Sequence, residues 1–366
     1  MSIFDHCDYS QHEQVHFVSD KSTGLTAIIA VHDTRLGPAV GGCRVHPYPS
    51  SEHALCDALR LSQAMTYKNT LAGLPFGGGK SVIIADPHTE KTPKLLEAFG
   101  TYIDQLGGKY IAAEDSGTSP SDMAHIAKTT QHVAGLSTDD SDGDPSPATA
   151  RGVFLSIQKA AEHKMGRQQL EGLSVVVQGL GNVGFELAKL LTREGAIVYG
   201  SDANKDHINR AAQELEIHPV DVNDCLSTPC DILAPCALGA VLNERSIPSL
   251  TTKIIAGAAN NQLATPEDAI RLANRGILYC PDFLINSGGI VDIYHRRCDA
   301  SANAALSAEK SLLHRLTMVL ETAARQSTTL HRVATAMAEQ LLEEQVETPA
   351  PKQAALVLNG TRNWGG

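Results

Sequence analysis

The sequence predicts a two-domain α/β protein whose second domain is a doubly wound sheet of the Rossmann type. The chain has 366 residues, which is more than one hydrophobic core usually supports. Short apolar segments typical of buried strands alternate with helical patterns, as in α/β proteins. A glycine-rich GxGxxG segment at residues 179–184 directly follows one such strand and opens a helix. We place the first domain at residues 1–140 and the second at residues 147–334, with the tail, residues 335–366, expected to return to the first domain or to pack on a neighbouring subunit.

Composition excludes several classes of partner. The formal net charge is -11, which argues against binding to nucleic acid or to anionic membranes. No apolar stretch approaches the roughly 20 residues of a membrane span, and the N-terminus has no secretory pattern, so we expect a cytoplasmic protein. The eight cysteines form no CxxC pair and the fifteen histidines show no ligand spacing, so the sequence indicates reduced thiols and no metal site.

The first domain begins with a strand, a turn and a second strand. The apolar segment Gly24–His32 predicts the first strand, and the glycine-rich segment Gly37–Arg44 predicts the turn. Apolar residues then recur with helical spacing from Ser51, an N-cap candidate, to about Lys68. This pattern predicts a helix that carries Lys68 at its tip.

A second lysine and an acid follow at the ends of predicted strands. The glycines of Gly77–Gly79 predict a loop, and Lys80 stands where that loop enters a strand. After a helix at residues 92–106, the segment Tyr110–Asp115 predicts a strand that finishes on a carboxylate. A single lysine or aspartate in such a place is usually only solvated, but together Lys68, Lys80 and Asp115 can converge on one site. Ser119 and Pro120 then predict the capped start of a further helix.

The second domain opens with a dinucleotide-binding pattern. The strand Ser174–Gln178 leads into Gly179, Gly181, Asn182, Val183 and Gly184, and the following helix ends near Gly195. Such glycines permit a tight turn and bring the pyrophosphate to the N-terminus of the helix. The next strand ends at Asp202, where a carboxylate accepts hydrogen bonds from the adenosine ribose and repels a 2′-phosphate. The sequence therefore predicts NAD binding in preference to NADP.

Three more buried segments, residues 230–235, 253–258 and 276–281, complete an open parallel sheet. Polar or small residues follow each of them, including Ala237, Asn260 and Asn286. Ligands bind at the carboxyl ends of the strands in such sheets. We therefore expect the nicotinamide end of the cofactor there.

Seven motifs, in order along residues 10–335, resemble the Glu/Leu/Phe/Val dehydrogenase family, and most closely its leucine dehydrogenase branch. They are Gly37-Pro38-x-x-Gly41-Gly42, Met65-Thr66-Tyr67-Lys68-Asn69, Pro75-x-Gly77-Gly78-Gly79-Lys80, Glu114-Asp115-x-Gly117-Thr118, Gly179-x-Gly181-Asn182-Val183-Gly184, Gly257-x-Ala259-Asn260-Asn261-Gln262 and Asn286-x-Gly288-Gly289.

The resemblance implies reversible oxidative deamination. An L-amino acid, NAD and water would give a 2-oxo acid, ammonium and NADH in a cleft between the domains. By this likeness Lys68 holds the substrate carboxylate, Lys80 is the general base that activates water, and Asp115 exchanges protons with the amino group. A lysine that acts as a base needs a depressed pKa, which a second lysine and a closed cleft supply. The family also implies a homo-oligomer.

The resemblance further implies which residues surround the ligands. Gly41, Gly42 and Met65 would contact the substrate, while Thr149, Ala237 and Asn260 would lie around the nicotinamide. In glutamate-specific members, polar residues hold the side-chain carboxylate of the substrate. The matching positions here are Val40, Ile290 and Ile293, with Ala113 beside them, and all four are apolar. We expect a branched aliphatic substrate such as leucine or valine, with phenylalanine or tryptophan as the alternative.

Two hypotheses from other classes fit the residues less well. A non-catalytic NAD-binding regulator would be expected to lack Lys80 or Asp115, and the sequence retains both. A hydroxy-acid dehydrogenase would need a histidine paired with an acid and an arginine for the substrate, and no such group stands in a comparable context.

Overall fold

The computed structural model describes residues 2–136, 144–237, 239–297 and 302–347. The chain divides into two compact units. The first is built mainly from residues up to Asp144, together with the end of the last helix from Glu339; the second is built mainly from residues 145–295 and the helices that follow, up to Ala338. Each unit is an α/β structure, which confirms the predicted two-domain fold class. Part of the segment between the two predicted domains, residues 141–143, lies outside the described residues. Among the described helices, none has the length and apolar character needed to cross a membrane.

The first unit contains a mixed five-stranded sheet with the order β1-β2-β4-β3-β5. Strand β2 runs antiparallel to both β1 and β4, whereas β3 runs parallel to both β4 and β5. The strands are β1 (Gln14–Asp20), β2 (Leu25–Asp33), β3 (Ala39–His46), β4 (Gly77–Ile84) and β5 (Tyr110–Glu114).

Helices cover both faces of this sheet. One face packs against α1 through a cluster that includes Ile28, Leu59 and Val82. The other face packs against α2 and α3 through a cluster that includes Phe99 and Met123. These helices are α1 (Ser51–Ala72), α2 (Pro93–Asp104) and α3 (Pro120–Ile126), and a short 3₁₀ helix, Ile3–Asp5, precedes the sheet. The predicted start of α3 is confirmed, because Ser119 and Asp122 form a capping box.

The predicted ends of α1 were wrong. Ser50, rather than Ser51, caps the N-terminus, and the helix continues to Ala72. Gly73 ends it with φ of 71°, a left-handed conformation that glycine adopts without steric cost. Lys68 therefore lies one turn inside the helix, where its side chain is buried against the sheet, and not at the tip.

The glycine segments that the sequence indicated as loop and turn are parts of strands. Gly77–Gly79 belong to β4, while Gly41 and Gly42 belong to β3. The reason is close packing, because a Cβ atom at Gly78 would overlap Thr66 of α1, and one at Gly41 would overlap the backbone of β4. The glycines let the helix and the neighbouring strand approach more closely than side chains would allow. Lys80 consequently stands in the middle of β4 and not at its entry.

The described part of the second unit contains six parallel strands in the order β11-β10-β9-β6-β7-β8. Because β6, in the middle, is the first of these strands along the chain, the order reverses there, as in a dinucleotide-binding fold. The strands are β6 (Ser174–Gln178), β7 (Ile197–Ser201), β8 (His218–Pro219), β9 (Ile232–Pro235), β10 (Ile254–Ile255) and β11 (Leu278–Tyr279). Strands β9, β10 and β11 are shorter than the apolar segments that predicted them, residues 230–235, 253–258 and 276–281.

The helices of the second unit follow the predicted alternation. Pro145 stands at the N-cap of α4 and makes no side-chain cap, and Pro147 falls in the first turn. The helices are α4 (Ser146–Met165), α5 (Asn182–Arg193), α6 (Lys205–Leu215), α7 (Glu267–Asn274), α8 (Asp282–Ile285), α9 (Gly288–Arg297), α10 (Ala302–Gln326) and α11 (Leu330–Glu347), with a 3₁₀ helix at Ile247–Ser249.

Candidate active site

One face of the first sheet gathers most of the predicted substrate residues. Val40 pairs with Gly78 between β3 and β4, and Gly42 pairs with Ala113 between β3 and β5. Because side chains alternate along strands, Val40, Gly42, Ala113 and Lys80 lie on the same face. This face is also the one that α1 covers.

A connected set of charged side chains surrounds Lys80. Its Nζ contacts Asp115 Oδ2, and the other oxygen of Asp115 lies 3.5 Å from the Arg44 guanidinium. Arg44 in turn pairs with Asp57 Oδ2 at 2.7 Å, and the Tyr48 hydroxyl donates to the same oxygen at 2.5 Å. The positive charges of Lys80 and Arg44 thus alternate with the negative charges of Asp115 and Asp57.

The pKa of Lys80 is held well below its ordinary value. Burial is the largest cause, because only 3% of the residue is exposed. The positive charges of Arg44 and Lys68 lower the pKa further, whereas Asp57 opposes them. A neutral amine is therefore more accessible at Lys80 than at an ordinary lysine, which is the property that a general base requires.

Lys68 and Met65 approach this face from α1. Lys68 is buried, and its effect on the pKa of Lys80 shows that the two amines are close enough to interact. Met65 is half-buried and lies one turn earlier on the same side of the helix. Gly42 supports the site differently, because a Cβ atom there would collide with the side chain of Asp115.

Arg44 and Asp57 were missed as site residues, although the sequence carries a signal for each. Arg44 is two residues after Gly42 on β3, so the strand period places it on the face of Lys80. Asp57 is eleven residues before Lys68 on α1, which is close to three helical turns, so both lie on the same side of that helix.

Glu114, next to Asp115 in the chain, is a third titratable residue whose environment the sequence did not predict. It pairs in register with Cys43, so it projects from β5 on the face opposite to Lys80. Burial, followed by the negative charges of Asp144 and Asp122, raises the pKa of the Glu114 carboxyl to about 7. Glu114 therefore titrates near neutral pH beside the strand end that carries Asp115.

In the second unit, the glycine motif forms the turn and helix start that a dinucleotide needs. Gly179 has φ of 93°, and a Cβ atom at Gly184 would overlap the carbonyl oxygen of Gly179, so strand and helix pack closely. Gly181 is the N-cap of α5 and supplies no side-chain cap, while Asn182 and Val183 form the first turn. A Cβ atom at Gly181 would meet no other heavy atom within 4 Å, so space for a phosphate remains above the helix start.

Asp202 lies at the carboxyl end of β7, beside this motif. Its Oδ2 accepts a hydrogen bond from the Leu180 amide at 2.7 Å, and its Oδ1 accepts one from the Asn204 amide at 2.7 Å. The His207 ring lies 3.2 Å from Oδ2. These contacts fix the carboxylate in place, and Oδ1 has a second lone pair with which to accept a ribose hydroxyl.

The residues predicted to surround the nicotinamide lie near the same sheet edge. Ala237 packs on Gly179, and Asn286 Nδ2 donates to Asn260 Oδ1 at 2.9 Å. Thr149 lies against Gly289 at the start of α9. The Oδ1 atom of Asn286 is buried and accepts no hydrogen bond from the residues that the structure describes. Such an acceptor suits an amide donor of a ligand, so the residues of this edge fit a nicotinamide cofactor.

Ile290 and Ile293 belong to α9 of the second unit, where Ile290 is buried and Ile293 half-buried. Their part in a substrate pocket stays a prediction.

Comparisons with known proteins agree along nearly the whole chain. Residues 11–132 match the profile of the Glu/Leu/Phe/Val dehydrogenase dimerisation domain, and residues 143–208 and 201–346 match that of Glutamate/Leucine/Phenylalanine/Valine dehydrogenase. The leucine dehydrogenase of Geobacillus stearothermophilus is 43% identical over 361 residues, covering 98% of this chain and 97% of that protein. The phenylalanine dehydrogenase of Bacillus thermotolerans is 43% identical over 290 residues, covering 78% and 76%. The crystal structure of L-tryptophan dehydrogenase from Nostoc punctiforme superposes with a TM-score of 0.73 at 39% identity, covering 92% of this chain and 98% of that one. This chain belongs to the Glu/Leu/Phe/Val dehydrogenase family.

Proposed function

We propose that the protein is an NAD-dependent amino-acid dehydrogenase that deaminates an apolar L-amino acid, with branched-chain substrates such as leucine and valine favoured. The observation that carries the proposal is the buried Lys80, in contact with Asp115 and within electrostatic range of Lys68. A regulator without activity has no need of a buried amine whose pKa is depressed. The leucine, phenylalanine and tryptophan dehydrogenases among the relatives support the same class of reaction.

In this proposal each charged residue has a separate task. Lys68 pairs with the substrate carboxylate, since a fixed cation orients that group. Neutral Lys80 takes a proton from the attacking water, and Asp115, in contact with it, exchanges protons with the substrate nitrogen as ammonium leaves. The bound nicotinamide ring supplies the acceptor for the hydride from Cα.

We propose that Val40, Ala113, Ile290 and Ile293 line the side-chain end of the pocket. A glutamate side chain there would leave its carboxylate unpaired, at a cost of several kcal/mol, so glutamate is rejected. Val40 and Ala113 are small, and this keeps phenylalanine or tryptophan as the alternative substrate. The relatives named phenylalanine and tryptophan dehydrogenase favour the same alternative.

The preference for NAD rests on Asp202. Its carboxylate is held beside the start of α5 by two backbone amides, where it would accept ribose hydroxyls and repel a 2′-phosphate. We also propose a cytoplasmic homo-oligomer. The dimerisation domain in the matched family supports assembly, and the free thiols of the cysteines in the described ranges suit a reducing compartment.

The experiment is a comparison of kcat/KM for leucine, valine, phenylalanine, tryptophan and glutamate, each with NAD and with NADP. A panel of 2-hydroxy acids serves as the control for the reaction class. We expect the highest value for a branched-chain amino acid with NAD. A preference for glutamate would refute the apolar pocket, and oxidation of hydroxy acids alone would refute the amine chemistry.

A further inference from the structure

A cluster of possible metal ligands lies in the first unit, outside the residues of the proposed active site. His6, Cys7 and Asp8 lie just after the 3₁₀ helix at the N-terminus, and their ligand atoms are all within 4.8 Å of one another. The folded chain adds Cys56 from α1, whose Sγ lies 2.9 Å from Asp8 Oδ2. No sequence pattern predicts this grouping, because 48 residues separate Asp8 from Cys56.

The distances around Asp8 suit a tetrahedral metal. Cys56 Sγ, Cys7 Sγ and His6 Nδ1 lie 2.9, 3.7 and 3.9 Å from Asp8 Oδ2. Ligands bound to tetrahedral zinc at about 2.0–2.3 Å are separated by about 3.3–3.8 Å. Each of the three atoms therefore lies within about 0.6 Å of a coordinating separation from Asp8 Oδ2.

The surroundings of His6 resemble those of a metal-binding histidine. Its Nε2 lies 3.1 Å from Glu52 Oε1, while Nδ1 accepts a hydrogen bond from the Asp8 amide at 3.1 Å. A carboxylate on one ring nitrogen fixes the tautomer and leaves the lone pair of the other nitrogen toward the metal. The metal would replace the Asp8 amide as the partner of that lone pair. The side chain of His6 is only 6% exposed, so its orientation is already set by packing.

We propose that His6, Cys7, Asp8 and Cys56 form a structural site for zinc or a similar thiophilic divalent cation. Two thiolates, an imidazole and a carboxylate are ligands that zinc binds well. Calcium and magnesium sites, in contrast, use oxygen ligands alone. The bound ion would tie the N-terminal segment to the start of α1. Metal binding displaces the protons of the two thiols, so the affinity rises with pH.

The test uses the full chain, reduced and stripped with a chelator, and titrated with Co²⁺ as a spectroscopic substitute for zinc. We expect one equivalent per chain, with the intense absorption of a tetrahedral Co²⁺–thiolate site, which zinc then displaces. The double variant Cys7→Ser/Cys56→Ser should lose this absorption, and Glu52→Gln should weaken zinc binding by about 10- to 100-fold. Cys230→Ser is the matched control, since it removes a half-buried thiol from the other unit and should change nothing.

A second measurement needs no variant and so does not depend on the folding of one. Zinc should protect Cys7 and Cys56, but not Cys230, from alkylation in the wild-type protein, as read by mass spectrometry of its peptides. Absence of a tetrahedral thiolate spectrum at stoichiometric Co²⁺, or equal alkylation of Cys7 and Cys56 with and without zinc, would overturn the proposal. Retention of the spectrum in the double variant would overturn it as well.

Discussion

Replacing Glu114 by glutamine should stabilise the protein at alkaline pH and leave its stability unchanged in acid. The carboxyl of Glu114 has a pKa of about 7, compared with an ordinary value of 4.5, because it is partly buried and faces the charges of Asp144 and Asp122. Glutamine has nearly the same shape as the protonated acid and carries no charge at any pH. The substitution therefore removes only the cost of ionising this side chain in the folded state.

The sign and the magnitude follow from proton linkage. Between about pH 4.5 and pH 7 the folded protein retains a proton on Glu114 that the unfolded chain has released. The stabilisation is therefore complete below pH 4.5, the pKa in the unfolded chain, and is lost as the pH rises through about 7, the pKa in the folded protein. Raising the pKa from 4.5 to about 7 corresponds to at most about 3.4 kcal/mol. Because the side chain is only partly buried, solvent screening reduces this to about 1–2 kcal/mol.

Thermal unfolding of wild type and Glu114→Gln at two pH values is the assay. One kcal/mol corresponds to about 2–4 °C for a unit of this size, so at about pH 8.5 the variant should unfold about 2–8 °C higher, with almost no difference at about pH 4. Glu194→Gln is the control, because Glu194 is exposed and should show no pH-dependent gain. A variant that gains nothing at alkaline pH, or gains equally at both, would refute the raised pKa of Glu114.

Three further predictions concern the proposed active site and the cofactor. Lys80→Ala should lower kcat by about 10²- to 10⁴-fold and leave the NAD affinity, measured by calorimetry, nearly intact. The control Lys94→Ala, at an exposed position, should change neither quantity. Retained turnover in Lys80→Ala would remove Lys80 from the mechanism. Asp57→Asn removes a charge that raises the pKa of Lys80, so the acidic limb of the pH profile of kcat/KM should move to lower pH; a move to higher pH would contradict this electrostatic role. Asp202→Ala should weaken NAD binding and narrow its preference over NADP, and unchanged affinities for both would place Asp202 outside the site.

The fold could be predicted wherever local patterns determine structure. The strand, glycine turn and helix at residues 174–193 combine apolar residues, a tight turn and helical periodicity, and all three agree with the structure. The prediction failed at the glycines of β3 and β4, because glycine is usual in loops. Their place in the sheet is due to the close approach of α1 and of the neighbouring strand, which are contacts between segments far apart in sequence.

The electrostatics of the proposed active site also depend on contacts between distant segments, which local sequence patterns do not predict. Lys68, Lys80 and Asp115 stand in recognisable motifs, but the pKa of Lys80 also depends on Arg44 from β3 and Asp57 from α1. Strand and helix periods place both residues on the correct face once the elements are paired, yet they do not give the pairing. The order of opposed charges around Lys80 follows from β3, β4, α1 and the end of β5 meeting on one face of the sheet. A depressed pKa is therefore a property of the assembled unit, and substitutions at Arg44 or Asp57 should change the basicity of Lys80 without removing any group that is proposed to touch the substrate.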